Sequence, residues 1–408
     1  MATYGISLAD LTQDIAGVVP VDLVLSWNAQ EKSAEQHARL LEPYRVHGTI
    51  VATDSAGLSQ LTQRYSLPQA MKLVSEPKEV IHAYGKAVGG EAIGVWAADN
   101  SEMFYADAID PARVVTQMLA AQRKIKALTV QVGMGIHAAG CYKVAGGLFG
   151  DDASFIERIA EDQTEGGEIV VSEPILERLP AGIRGAARRR EDLKEHGALW
   201  SLVDPPAPLS AVEGDDIAYP TPFDAEFWNA LQATPLEALA GLDFPQYLET
   251  RTVAFVKVAH PPRAHLLDAF TDLSLLDLSL RRLVASHHAD LVKSTGALGI
   301  VLFDGGDEAV AFARDVIESS RRLGFDARVG VTRGEVFLFP LSGGGRDIAG
   351  DPVNIASKLS EDSGLDGILV ESAVQLARPA PHAEPFRLTL SRVEITGRRI
   401  PVPPGGAR

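Results

Sequence analysis

The sequence predicts an α+β protein made of two similar domains joined by a linker. Short matches repeat along the chain at a nearly constant spacing, and a Pro- and acid-rich stretch lies between the two copies. Both copies also show the same order of strand-like and helix-like segments, which is typical of helices packed on a mostly antiparallel sheet. A chain of 408 residues is long enough for two or three domains, each with its own core.

Four short matches occur in the same order in both halves of the chain. They pair Lys86–Gly89 with Lys293–Gly296, Gly150-Asp151 with Gly350-Asp351, Glu161-Asp162 with Glu361-Asp362, and Ile169–Val171 with Ile368–Val370. The offsets between the copies are 207, 200, 200 and 199 residues. A two-copy repeat of this length indicates two complete domains rather than the units of a solenoid.

The domain boundaries follow from this repeat and from the composition break. We expect an N-terminal segment that joins the first domain, a first domain, a Pro- and acid-rich linker, a second domain and a short tail, at 1–44, 45–205, 206–248, 249–400 and 401–408. The linker is expected to contain a short helix at Phe227–Leu239.

Each domain is expected to order its elements in the same way. An opening strand (Gly48–Ala52; Thr252–Val258) is followed by a helix (within Leu58–Glu76; His265–Leu291) and by a hairpin around Lys-x-x-Gly, whose second arm is apolar (Ala92–Ala97; Gly299–Phe303). An amphipathic helix (Pro111–Leu128; Asp307–Leu323) and a strand pair (Val130–Ile136; Ala327–Val331) come next. Each domain then has a helix that starts at Asp152 or Pro352, and a final core strand.

Charge and composition argue against several classes of partner. The formal net charge is −16, so the chain repels nucleic acid and anionic lipid, and we expect neither as a partner. No apolar run reaches the roughly 18 residues that span a bilayer, and no signal peptide is apparent. The single cysteine, Cys141, forms no intrachain disulfide, which fits a cytoplasmic protein.

One segment of the second half carries a specific motif. It reads Asp347-Ile-Ala-Gly350-Asp-Pro-Val-Asn354-Ile-Ala-Ser-Lys358, and Gly147–Arg158 stands at the same place in the first half. This motif resembles the D-x-W-G-x-x-V-N-x-A-x-R signature of class III nucleotidyl cyclases, the adenylyl and guanylyl cyclases. Upstream, Thr53–Leu61 resembles that family's D-I-x-G-F-T-x-L element. Several ordered motifs match by chance less easily than one.

The resemblance implies two ferredoxin-like cyclase domains in tandem that form a pseudo-symmetric intramolecular pair. In that family, sites lie where two such domains meet. One domain supplies two aspartates for two metal ions, and the other supplies a Lys and an Asp that read the purine. An Asn and an Arg of the second domain lie near the ribose and the triphosphate.

Carried over residue by residue, the resemblance gives an asymmetric set of candidates. The metal candidates are Asp54 and Glu91, and the nucleotide-binding candidates are Lys293, Asp347, Asn354 and Lys358, of which Asn354 and Lys358 are also the catalytic candidates. Glu91 qualifies only if the hairpin slips by one residue, because Gly90 follows Gly89 where the second aspartate is expected. Lys358 keeps the positive charge of the family's Arg but loses its two-pronged donor fork.

A second site, with the roles of the two domains exchanged, would keep even fewer of the family's residues. Lys257 and Ala297 stand where the second domain would need metal aspartates, and Lys86, Gly147, Ser154 and Arg158 stand on its purine side. His137 and Cys141 do not make a metal site without further ligands.

Three hypotheses about function follow. The first is a catalytically impaired cyclase homologue that binds ATP or a related purine nucleotide at the interface of its two domains, with one Mg²⁺ or Mn²⁺ ion at most. It would use nucleotide occupancy to control a regulatory protein partner in signal transduction. The second is an active adenylyl cyclase that makes cyclic AMP with Asp54, Glu91 and Lys358. The third is an interaction scaffold that binds no nucleotide. Binding tolerates the loss of a metal ligand better than catalysis does, so the first is favoured.

Overall fold

A computed structural model describes most of the chain and divides it into two compact units. The described residues are 20–56, 61, 64–94, 96, 100–202, 211–212, 219–239, 244–259, 263–361, 363, 365–377, 380, 382–390 and 393–403. Among them, residues 38–239 form one unit, the first domain. Residues 21–37 and 244–403 form the other unit, the second domain.

Two short helices, α1 (Val21–Asn28) and α2 (Ala34–Leu41), precede the first sheet. The elements of the first domain that follow them are β1 (Arg45–Ala56), α3 (Leu67–Lys86), β2 (Glu91–Ile93), β3 (Ser101–Ala106), α4 (Pro111–Ile125), β4 (Gln131–Val144), β5 (Gly147–Phe149), α5 (Asp151–Gln163), β6 (Ile169–Ser172), α6 (Glu173–Arg178), α7 (Ala181–Ala186), β7 (Arg188–Arg189), β8 (Leu199–Leu202), α8 (Ala225–Ala233) and α9 (Leu236–Leu239).

The second domain repeats the order of the strands and of the helices up to the strand after α5. Its elements are β9 (Leu248–Ala259), α10 (Leu266–Ser286), β10 (Asp290–Ser294), β11 (Leu298–Phe303), α11 (Gly306–Arg322), β12 (Asp326–Pro340), β13 (Arg346–Ala349), α12 (Asp351–Glu361), β14 (Gly367–Glu371), β15 (Glu384–Leu390) and β16 (Val393–Ile400).

The two sheets have the same topology. The strand order is β2-β3-β1-β4-β6-β8-β7 in the first and β10-β11-β9-β12-β14-β16-β15 in the second, with β5 paired to β4 and β13 paired to β12. Only the β4–β6 and β12–β14 pairs are parallel among the described strand pairs. The predicted α+β class with a mostly antiparallel sheet in each of two copies is therefore confirmed.

The strand register gives a residue-by-residue equivalence between the domains. Met134 pairs with Ile169, and Val329 pairs with Ile368 at the corresponding place, which fixes the offset between β6 and β14 at 199. The match of Lys86 with Lys293 at offset 207 is wrong. Lys86 ends α3, whereas Lys293 lies within β10.

Glycine lets one helix of each domain approach its sheet closely. A Cβ on Gly330 in β12 would lie 2.1 Å from the carbonyl oxygen of Ala356 in α12. At the corresponding place in β4, a Cβ on Gly135 would lie 2.8 Å from Cδ1 of Ile156 in α5. Both helices begin after a glycine with positive φ, 130° at Gly150 and 133° at Gly350, which is a conformation that favours glycine.

Two segments differ from the expected domain plan. The N-terminal segment was expected to join the first domain, but residues 21–37 pack with the second domain. The fully buried Trp27 donates from its indole nitrogen to Asp268 on α10, at 2.9 Å. The expected linker contains two helices, α8 and α9, in place of one, and they pack on the first domain. Among the described residues, no helix has the length and apolar character needed to cross a bilayer.

Candidate functional site

Asp54 lies near the end of β1, opposite Gly133 of β4. Side chains alternate between the faces of a strand, so Asp54 shares a face with Ile50 and Ala52. Both of these pack in the apolar cluster that includes Ile156 of α5. Asp54 is half-buried at the edge of this cluster, where a carboxylate is accessible to a ligand.

The register separates the second metal candidate, Glu91, from Asp54. Glu91 opens β2 opposite Phe104 of β3, and Phe104 in turn lies opposite Ile50 of β1. Asp54 is four residues further along β1, so strand geometry puts the two Cα atoms roughly 15 Å apart. Glu91 forms an ion pair with Lys143 of β4. The register therefore does not bring Asp54 and Glu91 to one metal ion.

A different acid lies on the same face as Asp54. Glu102 of β3 is directly opposite Ala52, which makes it a diagonal neighbour of Asp54. Sequence reasoning missed Glu102 because its proximity depends on the pairing of β1 with β3, which no local motif records.

The first domain does not provide a complete metal site in its described residues. No group of three or more His, Cys, Asp or Glu side chains there could hold a metal ion, and the same is true of the described residues of the second domain. His137 lies 3.5 Å from Asp152, from its Nε2 to the Oδ1 atom, and burial lowers the pKa of the imidazole. Burial raises the pKa of the Cys141 thiol to about 12, so it is a poor metal ligand at neutral pH. The donor set does not fit a two-metal centre.

The second domain brings two of its purine-side candidates together. Lys293 lies on β10 and Asp347 on β13, and the Lys293 Nζ atom is 3.9 Å from the Asp347 Oδ2 atom. The lysine side chain is 45% exposed and the aspartate 15% exposed, so the amine reaches solvent while the acid is held in place. The other oxygen, Oδ1, accepts a hydrogen bond from the backbone nitrogen of Ile348 at 2.9 Å.

A second ion pair joins the same two strands. Arg346 on β13 binds Asp290 on β10, with 2.6 Å between its Nη2 atom and the Oδ2 atom of the acid. β10 and β13 are not paired by backbone hydrogen bonds, so these side chains connect them. The connection holds Lys293 and Asp347 at neighbouring positions.

Asn354 and Lys358 follow on the next helix. α12 begins at Asp351, two residues after β13 ends at Ala349, and the backbone nitrogen of Asn354 donates to the carbonyl of Gly350 at 3.2 Å. Residues four apart lie on one face of a helix, so Asn354 and Lys358 share a face. Asn354 is exposed, and Lys358 is half-buried.

The mirror-related positions lack the same chemistry. Lys257 of β9 lies opposite Arg328 of β12, which is the same register position that Asp54 and Gly133 occupy in the first sheet. Ala297, the other position that would need a metal aspartate, is fully buried. Gly147 in β5 has no acceptor side chain where β13 has Asp347. Lys86 ends a helix and is not part of a hairpin. Ser154 and Arg158 lie on one face of α5, as Asn354 and Lys358 do on α12.

Comparison with known proteins identifies the fold. No protein-family model matches the chain, and no curated protein matches it. A class III adenylyl cyclase-like ATP-binding protein from Pseudomonas aeruginosa is similar in structure, with 11% sequence identity, a TM-score of 0.51, and coverage of 81% of this chain and 84% of that chain.

Two cyclase structures also match. The adenylyl cyclase CyaB from P. aeruginosa is 16% identical, with coverage of 40% of this chain and 96% of that chain and a TM-score of 0.33. The guanylate cyclase domain of RhGC from Catenaria anguillulae, in complex with GTP, is 15% identical, with coverage of 40% and 98% and a TM-score of 0.34.

The similarity over most of the chain agrees with the repeated sheet topology and with the motif around Gly350. The chain consists of two domains of the class III nucleotidyl cyclase fold in tandem.

Proposed function

We propose that the second domain binds a purine nucleotide, ATP in the first instance, and that the chain acts as a nucleotide-responsive regulator of a protein partner with little or no cyclase turnover. The observation that carries this proposal is the 3.9 Å approach of Lys293 to Asp347. An ammonium donates to a ring nitrogen of adenine, and a carboxylate accepts from its exocyclic amine. Guanine offers a carbonyl oxygen in place of that amine, so the pair suits adenine better.

Two further residues support a nucleotide rather than a free base. Asn354 and Lys358 lie on the helix that follows Asp347 almost directly, so they are available to the ribose and the phosphates of the same ligand. Lys358 supplies a positive charge for phosphate. The similar protein from P. aeruginosa is described as ATP-binding and class III adenylyl cyclase-like, which agrees with a nucleotide as the ligand of this fold.

The expectation of low turnover rests on the residues that would hold the metal ions. Cyclisation by this fold family uses two metal ions, one at the attacking oxygen and one at the triphosphate. Asp54 is one suitable carboxylate, the register keeps Glu91 away from it, and Lys257 stands at the corresponding place in the second domain. Loss of catalytic contacts lowers turnover more than it lowers binding.

Calorimetric titration of the full chain with ATP and with GTP tests the binding proposal. We expect ATP to bind more tightly than GTP, and Lys293→Ala and Asp347→Ala each to weaken ATP by about tenfold or more, the loss of a hydrogen bond to a charged group. Asp326→Ala, which removes an exposed acid from β12, is the matched control and should leave the affinity unchanged. Absence of ATP binding, with wild type and Asp347→Ala indistinguishable, would point to the nucleotide-free scaffold, and ATP binding that is equal in the two would contradict the role proposed for Asp347.

Product formation on the same samples tests the second part of the proposal. We expect no cyclic AMP above background with Mg²⁺ or with Mn²⁺. Turnover that disappears in Asp54→Ala would contradict the proposal and identify an active adenylyl cyclase. ATP binding without turnover would support the proposal of a nucleotide-binding chain with little or no cyclase activity.

A further inference from the structure

The segment between the two sheets is anchored to the first domain at three places. We propose that residues 211–212 and 219–239, here called the strap, hold Trp96 in position between β2 and β3, close in sequence to the start of the strand that pairs with β1 beside Asp54. The strap would then link the chain between the domains to the end of the first sheet that carries this acid. The inference does not depend on nucleotide binding.

The first anchor joins the helices of the strap to α3. The Lys72 Nζ atom donates to the carbonyl oxygens of Leu231, Gln232 and Thr234, at 3.3, 3.0 and 2.8 Å. These carbonyls lie at the C-terminal end of α8, where backbone acceptors lack partners within the helix. α8 has no basic residue in its own last turn, so a lysine from α3 supplies the positive charge that this helix end favours.

The second anchor joins the start of the strap to the β2–β3 connection. Tyr219 donates from its hydroxyl to the carbonyl of Trp96 at 3.5 Å, and the two ring centroids are 6.0 Å apart. The ring of His82 on α3 lies edge-on to both, at 5.8 Å from Trp96 and 5.6 Å from Tyr219. The Trp96 side chain is thus enclosed between α3 and the strap, and the residue is 6% exposed.

Further hydrogen bonds fix the backbone at Trp96. The buried Lys78 of α3 donates to the same carbonyl at 3.0 Å, and the indole nitrogen donates to the carbonyl of Ile93 at 2.9 Å. A lysine that is 3% exposed needs acceptors, because a buried ammonium without them is strongly disfavoured. Trp96 is therefore held from α3 as well as from Tyr219.

The third anchor is a reciprocal pair of hydrogen bonds at Val212. The side-chain nitrogen of Gln117 donates to the carbonyl of Val212 at 2.7 Å, and the backbone nitrogen of Val212 donates to the side-chain oxygen of Gln117 at 2.8 Å. Gln117 is 1% exposed on α4. A flexible linker has no such buried backbone partners, so this part of the chain belongs to the first domain.

Trp96 stands five residues before the start of β3, the strand beside Asp54. β3 begins at Ser101, whose hydroxyl is 2.5 Å from the hydroxyl of Thr53, the residue before Asp54. The second domain makes the equivalent connection with only residues 295–297. In that short connection, a Cβ on Gly296 would lie 2.4 Å from the carbonyl oxygen of Leu273, so α10 packs directly against the turn. In the longer connection of the first domain, Trp96 contacts the strap instead.

Hydrogen exchange of the full chain, read by peptide, tests the coupling. Tyr219→Ala removes the second anchor, and Lys72→Met removes the first while keeping an apolar stem. We expect both variants to speed exchange across residues 91–104 by tenfold or more, with Lys72→Met also speeding residues 225–239. Peptides of the second domain and of β6 should not change, which shows that the variants remain folded.

Lys86→Met is the matched control, because it makes the same change at an exposed position on the same helix. It should leave residues 91–104 unchanged. If Tyr219→Ala unfolds the first domain, Tyr219→Leu keeps the bulk and removes the hydroxyl and the aromatic contact, and it should give the same regional effect. Faster exchange in the strap with no change across residues 91–104 would overturn the proposal, since the strap would then be local packing only.

Discussion

The Lys257 Nζ atom lies 3.1 Å from the Glu361 Oε1 atom, at a position where the first domain has an acid. Lys257 of β9 and Asp54 of β1 occupy the same register position in the two sheets. The second domain therefore holds a paired ammonium where the first holds a carboxylate. A divalent cation is attracted to the first position and repelled from the second, so any metal binding should be confined to one of the two copies.

Replacing Lys257 tests how much its ion pair with Glu361 contributes to the free energy of unfolding. The two side chains are 21% and 31% exposed, so their attraction is partly screened by water. We expect a coupling of about 0.5–1 kcal/mol in a double-mutant cycle of Lys257→Met and Glu361→Gln, measured by calorimetric unfolding. The coupling should shrink in high salt. A coupling of zero at low salt would mean that the contact contributes nothing to stability.

The sequence was informative where a feature is local. The glycines at 150 and 350 were found from the repeat, and both prove to have positive φ before a helix. The spacing of Asp347 to Gly350 singles it out in the sequence, and its Oδ2 atom lies 3.9 Å from the Lys293 Nζ atom. Helix ends and turn glycines depend on a few neighbouring residues, so a short motif predicts them.

The sequence misled where a feature depends on distant residues. The four residues from Lys86 to Gly89 look like a hairpin turn, yet Lys86 is the last residue of a helix that begins at Leu67. Glu102 and Asp54 share a face only because β3 pairs with β1. Trp27 binds Asp268 across 241 residues of sequence, so the docking of the N-terminal segment could not be predicted locally.

Gly330→Ala should destabilise the second domain strongly. The new Cβ would lie 2.1 Å from the carbonyl oxygen of Ala356, which is backbone, so α12 must shift. We expect a loss of about 1–3 kcal/mol in thermal unfolding, the range for overpacking in a core. Because α12 carries Asn354 and Lys358, nucleotide affinity should fall as well.

Gly343→Ala provides the matched control for this change. Nothing lies within 4 Å of a Cβ at Gly343, so the substitution should leave both stability and binding near wild type. Wild-type stability in Gly330→Ala would show that α12 does not pack as closely on β12 as the structure has it.

A buried ion pair next to α10 makes a separate prediction. Arg263 and Asp272 bind each other with both side chains at 0% exposure, and the Arg263 guanidinium carbon lies 5.6 Å from the centroid of the Phe325 ring. Arg263→Met leaves a buried carboxylate without its cation, so we expect a loss of about 3–5 kcal/mol in unfolding free energy. The double variant Arg263→Met/Asp272→Leu should recover most of this loss. A double variant as unstable as the single one would contradict this account.

The docking of the N-terminal segment should depend on pH through His37. Its Nε2 atom accepts a hydrogen bond from the backbone nitrogen of Leu266, at the start of α10, at 3.1 Å. Protonation would remove this acceptor. Burial, followed by the nearby His265, lowers the pKa of His37 from 6.5 to about 4, against an opposing effect of Asp268. The folded chain therefore keeps the imidazole neutral over a range in which the unfolded chain binds a proton.

The sign of the pH dependence follows from this difference. The unfolded state binds more protons between pH 6.5 and about 4, so the stability from His37 is present above pH 6.5 and falls as the pH drops toward 4. His37 is only partly buried, so we expect a difference of order 1 kcal/mol between pH 7 and pH 4.5 after allowance for solvent screening. His37→Gln keeps an acceptor without a titrating group, so its unfolding should show a smaller loss over this range. His47→Gln, at an exposed position of the first domain, should keep the wild-type pH dependence, and equal profiles for both variants would exclude His37 as the source.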